Sequence, residues 1–190
     1  MIHQISKVIV KWLLSAGAIS SNEQEIYEYA VYSVIFSVAP LFLVFVIGSF
    51  LDIALEGVIF LLPFLLIRKF SGGFHLKSPV VCFISSVTVL TVFLLFIREL
   101  IQQSSIPPFT LIVIGAVILL ICLSPIDSEE RRLAPKEKAV FKKIAITVSL
   151  LITALYFVLL FFSLFRFAIP VGAGLILSAL LQIPCIFIKQ

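Results

Sequence analysis

The sequence predicts an all-α integral membrane protein of about six transmembrane helices, with an N-terminal amphipathic helix at the membrane interface. Three observations carry this expectation. Of 190 residues, 62% are hydrophobic and only 13% charged, and the mean hydropathy is +1.24. A soluble fold of that length has too little interior to hide so much apolar surface. The apolar residues also gather into six runs, about 29–50, 51–67, 80–97, 109–123, 144–165 and 169–188. Finally, the 14 basic residues divide unevenly between the connections. With six crossings and the N-terminus inside, the inner segments hold Lys7, Lys11, Arg68, Lys69, Lys77, Arg131, Arg132, Lys136, Lys138, Lys142, Lys143 and Lys189, and the outer ones only Arg98 and Arg166. Such asymmetry is the positive-inside pattern of a multi-pass protein. The chain therefore reads as one polytopic domain over 1–190, with both termini cytoplasmic.

Taken in order, residues 1–20 form the interfacial helix. Ile2, Ile5, Val8, Ile9, Trp12 and Leu13 share one face, opposite His3, Gln4, Lys7 and Lys11. That pattern suits a helix lying along membrane lipid with Trp12 at headgroup level. Lys7 and Lys11 interrupt the run too often for a signal-peptide core. Gly17 closes this helix, and Ser20-Ser21-Asn22-Glu23 has the spacing of a capping box for the next. Several of the six runs are shorter than the ~20 residues that comfortably span a bilayer, so the second and fourth are expected to tilt, re-enter or lean on neighbours. Residues 124–143 form a charged cytoplasmic loop: Pro125 ends the fourth helix, and Pro135 opens a charged helical lead into the fifth crossing. This loop either sets topology or offers a basic surface to an acidic peptide or the anionic inner leaflet.

The basic balance (net +4, pI near 9.1) is explained by topology, since no basic patch is interleaved with aromatics; nucleic acid is not an expected partner. Three cysteines without paired spacing and two distant histidines leave no expected metal site and no expected cofactor. Cys122 and Cys185 read as small packing residues.

The stretch 68–82, Arg68-Lys69-Phe70-Ser71-Gly72-Gly73-Phe74-His75-Leu76-Lys77-Ser78-Pro79-Val80-Val81-Cys82, is a polar island between two apolar runs. On an unbroken helix His75 and Cys82 would stand roughly 10 Å apart, too far for proton transfer. Gly72-Gly73 allows a tight turn, and Ser78-Pro79 reads as the N-cap and first residue of a new helix. Cys82 then sits in a first helical turn, where the helix dipole and Arg68, Lys69 and Lys77 favour thiolate, while His75 on the preceding loop can fold back as a base.

Arg68, Gly73, His75 and Cys82, in a cytoplasm-facing loop of a chain this size, resemble the B component of accessory gene regulator (Agr) quorum-sensing systems. Ser124-Pro125-Ile126-Asp127 is similar to that family's signature after the fourth span; Glu129-Glu130-Arg131-Arg132-Leu133 departs from its usual continuation. The resemblance implies a membrane cysteine endopeptidase of the Gram-positive cell membrane. Such an enzyme removes the C-terminal tail of a short propeptide that has an amphipathic leader, and the peptide closes into a thiolactone or lactone. It implies catalytic roles for His75 and Cys82. Arg68, Gly72, Gly73, Lys77, Arg131 and Arg132 would bind substrate or support the loop. Backbone N–H groups near Pro79–Cys82 are available as oxyanion donors, and Asp127 and Glu25 both remain open as partners orienting the histidine. The apolar surface permits a homodimer. Two other classes make different demands. A small membrane transporter needs ionisable residues within its spans, where only Asp52 and Glu56 qualify. A non-catalytic scaffold requires that Cys82→Ala leave function intact.

Overall fold

The structure is a computed structural model that describes residues 2–20, 23–72, 79–103, 106–126 and 135–187. Its elements are eight α-helices: α1 (Ile2–Ser15), α2 (Gln24–Phe50), α3 (Ala54–Ser71), α4 (Pro79–Gln103), α5 (Ile106–Leu123), α6 (Pro135–Phe161), α7 (Phe165–Leu180) and α8 (Ile183–Phe187). No strand occurs among the described residues. The chain divides into two compact units, Met1–Leu43 and Val44–Gln190.

In the first unit, local chemistry sets the helix boundaries where the sequence anticipated them. Gly17, at φ +68°, ends α1 in a Schellman motif: its N–H donates to the Leu14 carbonyl, and that of Ala18 to the Leu13 carbonyl. Before α2, both the backbone N–H and the hydroxyl of Ser20 donate to Glu23 Oε2, at 3.1 and 2.8 Å, which forms the carboxylate half of the expected capping box, while the Glu23 N–H donates to the Ser20 carbonyl instead of the hydroxyl. Lys7 and Glu28 approach to 3.9 Å across α1 and α2. Val8 and Trp12 of the expected apolar face are exposed, whereas Ser6 and Val10 are buried.

The second unit is built around α7, which packs against α3, α5, α6 and α4. Every residue from Ala168 to Ala179 is buried. Small side chains explain how one helix accommodates so many neighbours. A Cβ on Gly174 would lie 2.7 Å from the Phe60 carbonyl oxygen of α3, and one on Gly172 would lie 2.9–3.0 Å from Phe109, Val113 and Tyr156. Buried Tyr156 is bridged to Thr110 by a 2.8 Å hydrogen bond, joining α6 to α5. A chain of ring contacts, Phe60–Phe93–Phe96–Phe109–Tyr156, links α3, α4, α5 and α6.

Four helical segments among the described residues are long and apolar enough to cross a membrane: Val81–Gln103, Ile106–Leu123, Glu137–Phe161 and Phe165–Cys185. They correspond to the last four of the six runs. α2 contributes only the shorter apolar segment Ala39–Phe50, and α3 carries Glu56, Arg68 and Lys69 within its 18 residues. The boundary between the last two runs also moves. It falls at 162–164, not near Arg166, because Ser163 takes φ +56° and the Leu164 N–H reaches back to the Leu159 carbonyl. Asp52, at φ +59°, makes the same turn between α2 and α3, with the Ile53 N–H donating to the Gly48 carbonyl. A polar residue stands at both turns where glycine is commoner.

Candidate functional site

Three of the residues singled out in the sequence meet at the junction of α3 and α4. Arg68 lies in the last turn of α3, Gly72 immediately follows that helix, and Cys82 is the fourth residue of α4, which begins at Pro79 as the Ser-Pro pair predicts. Cys82 is half-buried and reduced. Its place in a first helical turn puts it near unpaired backbone N–H groups and the positive end of the helix dipole. His75, Gly73, Lys77, Ser78, Arg131, Arg132 and Asp127 lie outside the described residues.

The Arg68 guanidinium sits over the Phe64 ring, 5.7 Å from its centroid, and is largely removed from solvent although the residue as a whole is only half-buried. Burial pushes its pKa below the ordinary arginine value; electrostatic interaction with the thiols of Cys82 and Cys185 pushes the other way. An arginine remains charged through such a shift, so a desolvated cation faces both sulfurs. At Cys185 burial outweighs that cation and pushes the thiol pKa up, with Arg68 acting in the opposite direction.

Gly72 is required by its backbone. It adopts φ +73°, ψ −162°, a region essentially reserved for glycine. Its N–H donates to the Arg68 carbonyl at 3.2 Å. A Cβ at this position would lie 2.4 Å from the Ile126 carbonyl oxygen. That approach is fixed from the other side as well, because the Ile126 N–H donates to the Ser71 carbonyl at 2.9 Å. The Ser71-Gly72 turn and the Ser124-Pro125-Ile126 stretch, 52 residues or more apart in the chain, are thus joined backbone to backbone.

Gln182 in the α7–α8 turn and Cys185 in α8 complete this cluster. Gln182 is fully buried, and its Nε2 donates to the Ser124 hydroxyl at 2.9 Å. The backbone N–H of Cys185 donates to the Gln182 carbonyl at 3.2 Å. The reading of Cys185 as a mere packing residue misses its proximity to Arg68; Cys122, by contrast, is exposed on α5 and packs into no core. Gln182 was also missed. Its signal was available, as an uncharged polar residue inside the apolar run Leu180-Leu181-Gln182-Ile183. No group of three or more His, Cys, Asp or Glu residues suited to a metal occurs among the described residues.

These features define a helical membrane-type protein whose polar cluster, with a thiol at a helix start beside a desolvated guanidinium, lies at one end of the bundle. The chain belongs to the accessory gene regulator B (AgrB) family, whose model matches residues 3–186. An AgrB-like protein 2 of Clostridium perfringens strain 13 is 30% identical over 195 residues, covering 96% of this chain and 89% of that protein. A second AgrB-like protein, from C. perfringens strain SM101, is 35% identical over 89 residues, 47% of this chain and 42% of its own length. No solved structure matches the chain.

Proposed function

We propose that this protein is a membrane cysteine endopeptidase that removes the C-terminal tail of a quorum-sensing propeptide, with Cys82 as nucleophile and His75 as general base and acid. The observation that carries the reading is the position of Cys82 in the first turn of α4, the helix that follows the end of α3 with its Arg68. Family membership supports it by implying a role in accessory gene regulator processing. In this reading α2 and α3 complete six crossings, α1 lies along the inner leaflet, and the α3–α4 junction faces the cytoplasm of a Gram-positive cell.

The propeptide's amphipathic leader binds membrane lipid beside α1, which raises its local concentration and presents one bond to the junction. The Cys82 thiolate attacks the carbonyl carbon before the tail. The C–N bond breaks as His75 protonates the leaving amine, and a thioester to Cys82 remains. A substrate thiol or hydroxyl then attacks that thioester, releasing a ring and regenerating the Cys82 sulfur. Backbone N–H groups of α4's first turn stabilise the oxyanion. Arg68 holds negative charge near the sulfur, Gly72 and Gly73 shape the turn, and Lys77, Arg131 and Arg132 hold the acidic parts of the peptide.

The test is co-expression with the propeptide encoded beside the gene, followed by mass spectrometry of that peptide. Wild type trims the tail, His75→Ala and Cys82→Ala do not, and an acyl adduct accumulates on Cys82. Equal trimming by all three would refute the dyad and leave the transporter or scaffold as the working reading.

A further inference from the structure

Gln182 is the polar residue of this cluster that the proposed chemistry does not use, and its burial calls for an account. The residue has no solvent exposure. Its Nε2 donates to Ser124 Oγ, but Oε1, equally buried, has no hydrogen-bond partner. Burying both ends of a carboxamide and pairing one costs more than a single neutral hydrogen bond returns. An apolar side chain of the same size would serve the packing better. Stability therefore does not explain the glutamine, and a buried polar group that weakens the fold is where a functional explanation belongs.

What the glutamine does hold is specific. Ser124, only 4% exposed, immediately follows α5 and stands two residues before Ile126. The Ile126 N–H donates to the Ser71 carbonyl, and the Ile126 carbonyl oxygen occupies the space against Gly72 that a side chain would need. The connection runs from Gln182 to Ser124, along two residues to Ile126, and across to the turn that begins the segment carrying His75. On its own side, Gln182 accepts at its backbone carbonyl from the N–H of Cys185, whose thiol interacts with the same guanidinium that faces Cys82. The segment after α7 is thus tied to the end of α3 twice, through Ser124 and Ile126 and through the Cys185 thiol.

We propose that Gln182 is a positioning residue: through Ser124 it fixes the Ser71–Gly72 turn, and so the end of α3 whose Arg68 carbonyl accepts from the Gly72 N–H and whose guanidinium acts on Cys82. This rests on the peptidase reading for its catalytic consequence, but not for its effect on the thiol. Gln182 touches neither substrate nor sulfur. Its removal loosens the turn without emptying the site, so turnover suffers and peptide binding does not. A displacement on the scale of 1 Å at a reacting pair reduces rate by roughly 10- to 100-fold.

The experiment uses the full-length protein carrying Ser124→Ala and Gln182→Met together. This pair removes donor and acceptor at once, which is close to neutral or stabilising for a buried hydrogen bond. Thermal unfolding in detergent is expected to match or exceed wild type, while kcat for tail removal falls roughly 10- to 100-fold and KM stays within about two-fold. In parallel, alkylation of Cys82 by iodoacetamide at neutral pH, followed on the Cys82 peptide by mass spectrometry, is expected to slow several-fold. Wild-type kcat and wild-type alkylation in the double variant would overturn the proposal. So would a loss of activity that merely tracks a loss of thermal stability, with Ser124→Ala alone active as wild type. If the wild-type protein trims no peptide, the peptidase reading fails by itself, and the alkylation comparison still decides the role of Gln182.

Discussion

Gly72→Ala isolates the contact between the two polar stretches. The native φ of +73° with ψ of −162° costs a residue with a Cβ about 1–3 kcal/mol. The new methyl would also sit 2.4 Å from the Ile126 carbonyl oxygen, a backbone atom that cannot swing aside as a side-chain tip does. Ile126 must retreat, and its N–H bond to the Ser71 carbonyl stretches or breaks at a further cost of about 0.5–1.5 kcal/mol. The two effects overlap, since relaxing one partly relieves the other, and together give about 2–4 kcal/mol. Gly115→Ala is the control. It lies in α5, where a Cβ would meet nothing within 4 Å, so its change stays within about 1 kcal/mol and is favourable if helix propensity dominates. Reversible unfolding of the purified protein in mixed micelles of increasing denaturing detergent measures both. Equal stabilities for the two variants would refute the claim that the turn is locked against Ile126. A large loss in both would refute the assignment of its cause.

The ion pair at the other end of α3 yields an asymmetric expectation. Glu56 is buried and accepts from Arg166 Nε, while the Arg166 side chain is 63% exposed. Arg166→Met leaves a carboxylate uncompensated; discounted for the solvent around the arginine, the loss is about 1–3 kcal/mol. Glu56→Gln keeps an acceptor and removes the buried charge, so it costs less in the same micelle titration, and the reverse order would contradict the pairing. At the start of α2, hydrogen bonds from the Ser20 backbone and hydroxyl hold the Glu23 pKa below the ordinary carboxylate value. A depressed folded pKa means that the cap is fully present above the unfolded value and is lost as pH falls through the folded one. Amide exchange at Glu23, whose N–H donates to the Ser20 carbonyl, should therefore accelerate relative to Glu23→Ala-corrected intrinsic rates only in acid. A pH-independent ratio would count against the cap.

Features governed by neighbours in sequence were legible before any coordinates. Gly17 closing α1, the Ser20–Glu23 box, Pro79 and Pro135 opening helices, and Gly72 as a turn all follow from local backbone chemistry. The boundary near Ser163 was not legible. Serine seldom adopts a positive φ, and the apolar residues on both sides give no break in hydropathy. Nor was the meeting of Gly72 with Ile126, because no local rule pairs segments more than fifty residues apart. Arg68 and Cys82 could be chosen by type and spacing, whereas Gln182 and Cys185 gain meaning only when α7 brings its end beside them. A count of apolar runs is likewise blunt. It treats α3 like the others, although Glu56 and Arg68 occupy its two ends and shorten its apolar length to little more than Gly57–Ile67.

The ionisable groups of α3 divide between those two ends, and the division bears on function. At the start of α3 the buried carboxylate is matched by a single cation in a closed pair. At its finish a desolvated guanidinium faces two thiols, and a carboxamide nearby is only half paired. Between them runs α7, whose twelve consecutive buried residues Ala168–Ala179 extend about 18 Å at the helical rise. The one polar side chain among them, Ser178, donates to the Gly174 carbonyl of its own helix. A transporter needs ionisable or unpaired polar groups along the path between the two faces. The described core of this unit instead separates them with small and apolar side chains packed at backbone contact. Its unbalanced electrostatics are confined to the end that holds Cys82, which is the arrangement expected of a reaction performed at one membrane border on a substrate delivered from that side.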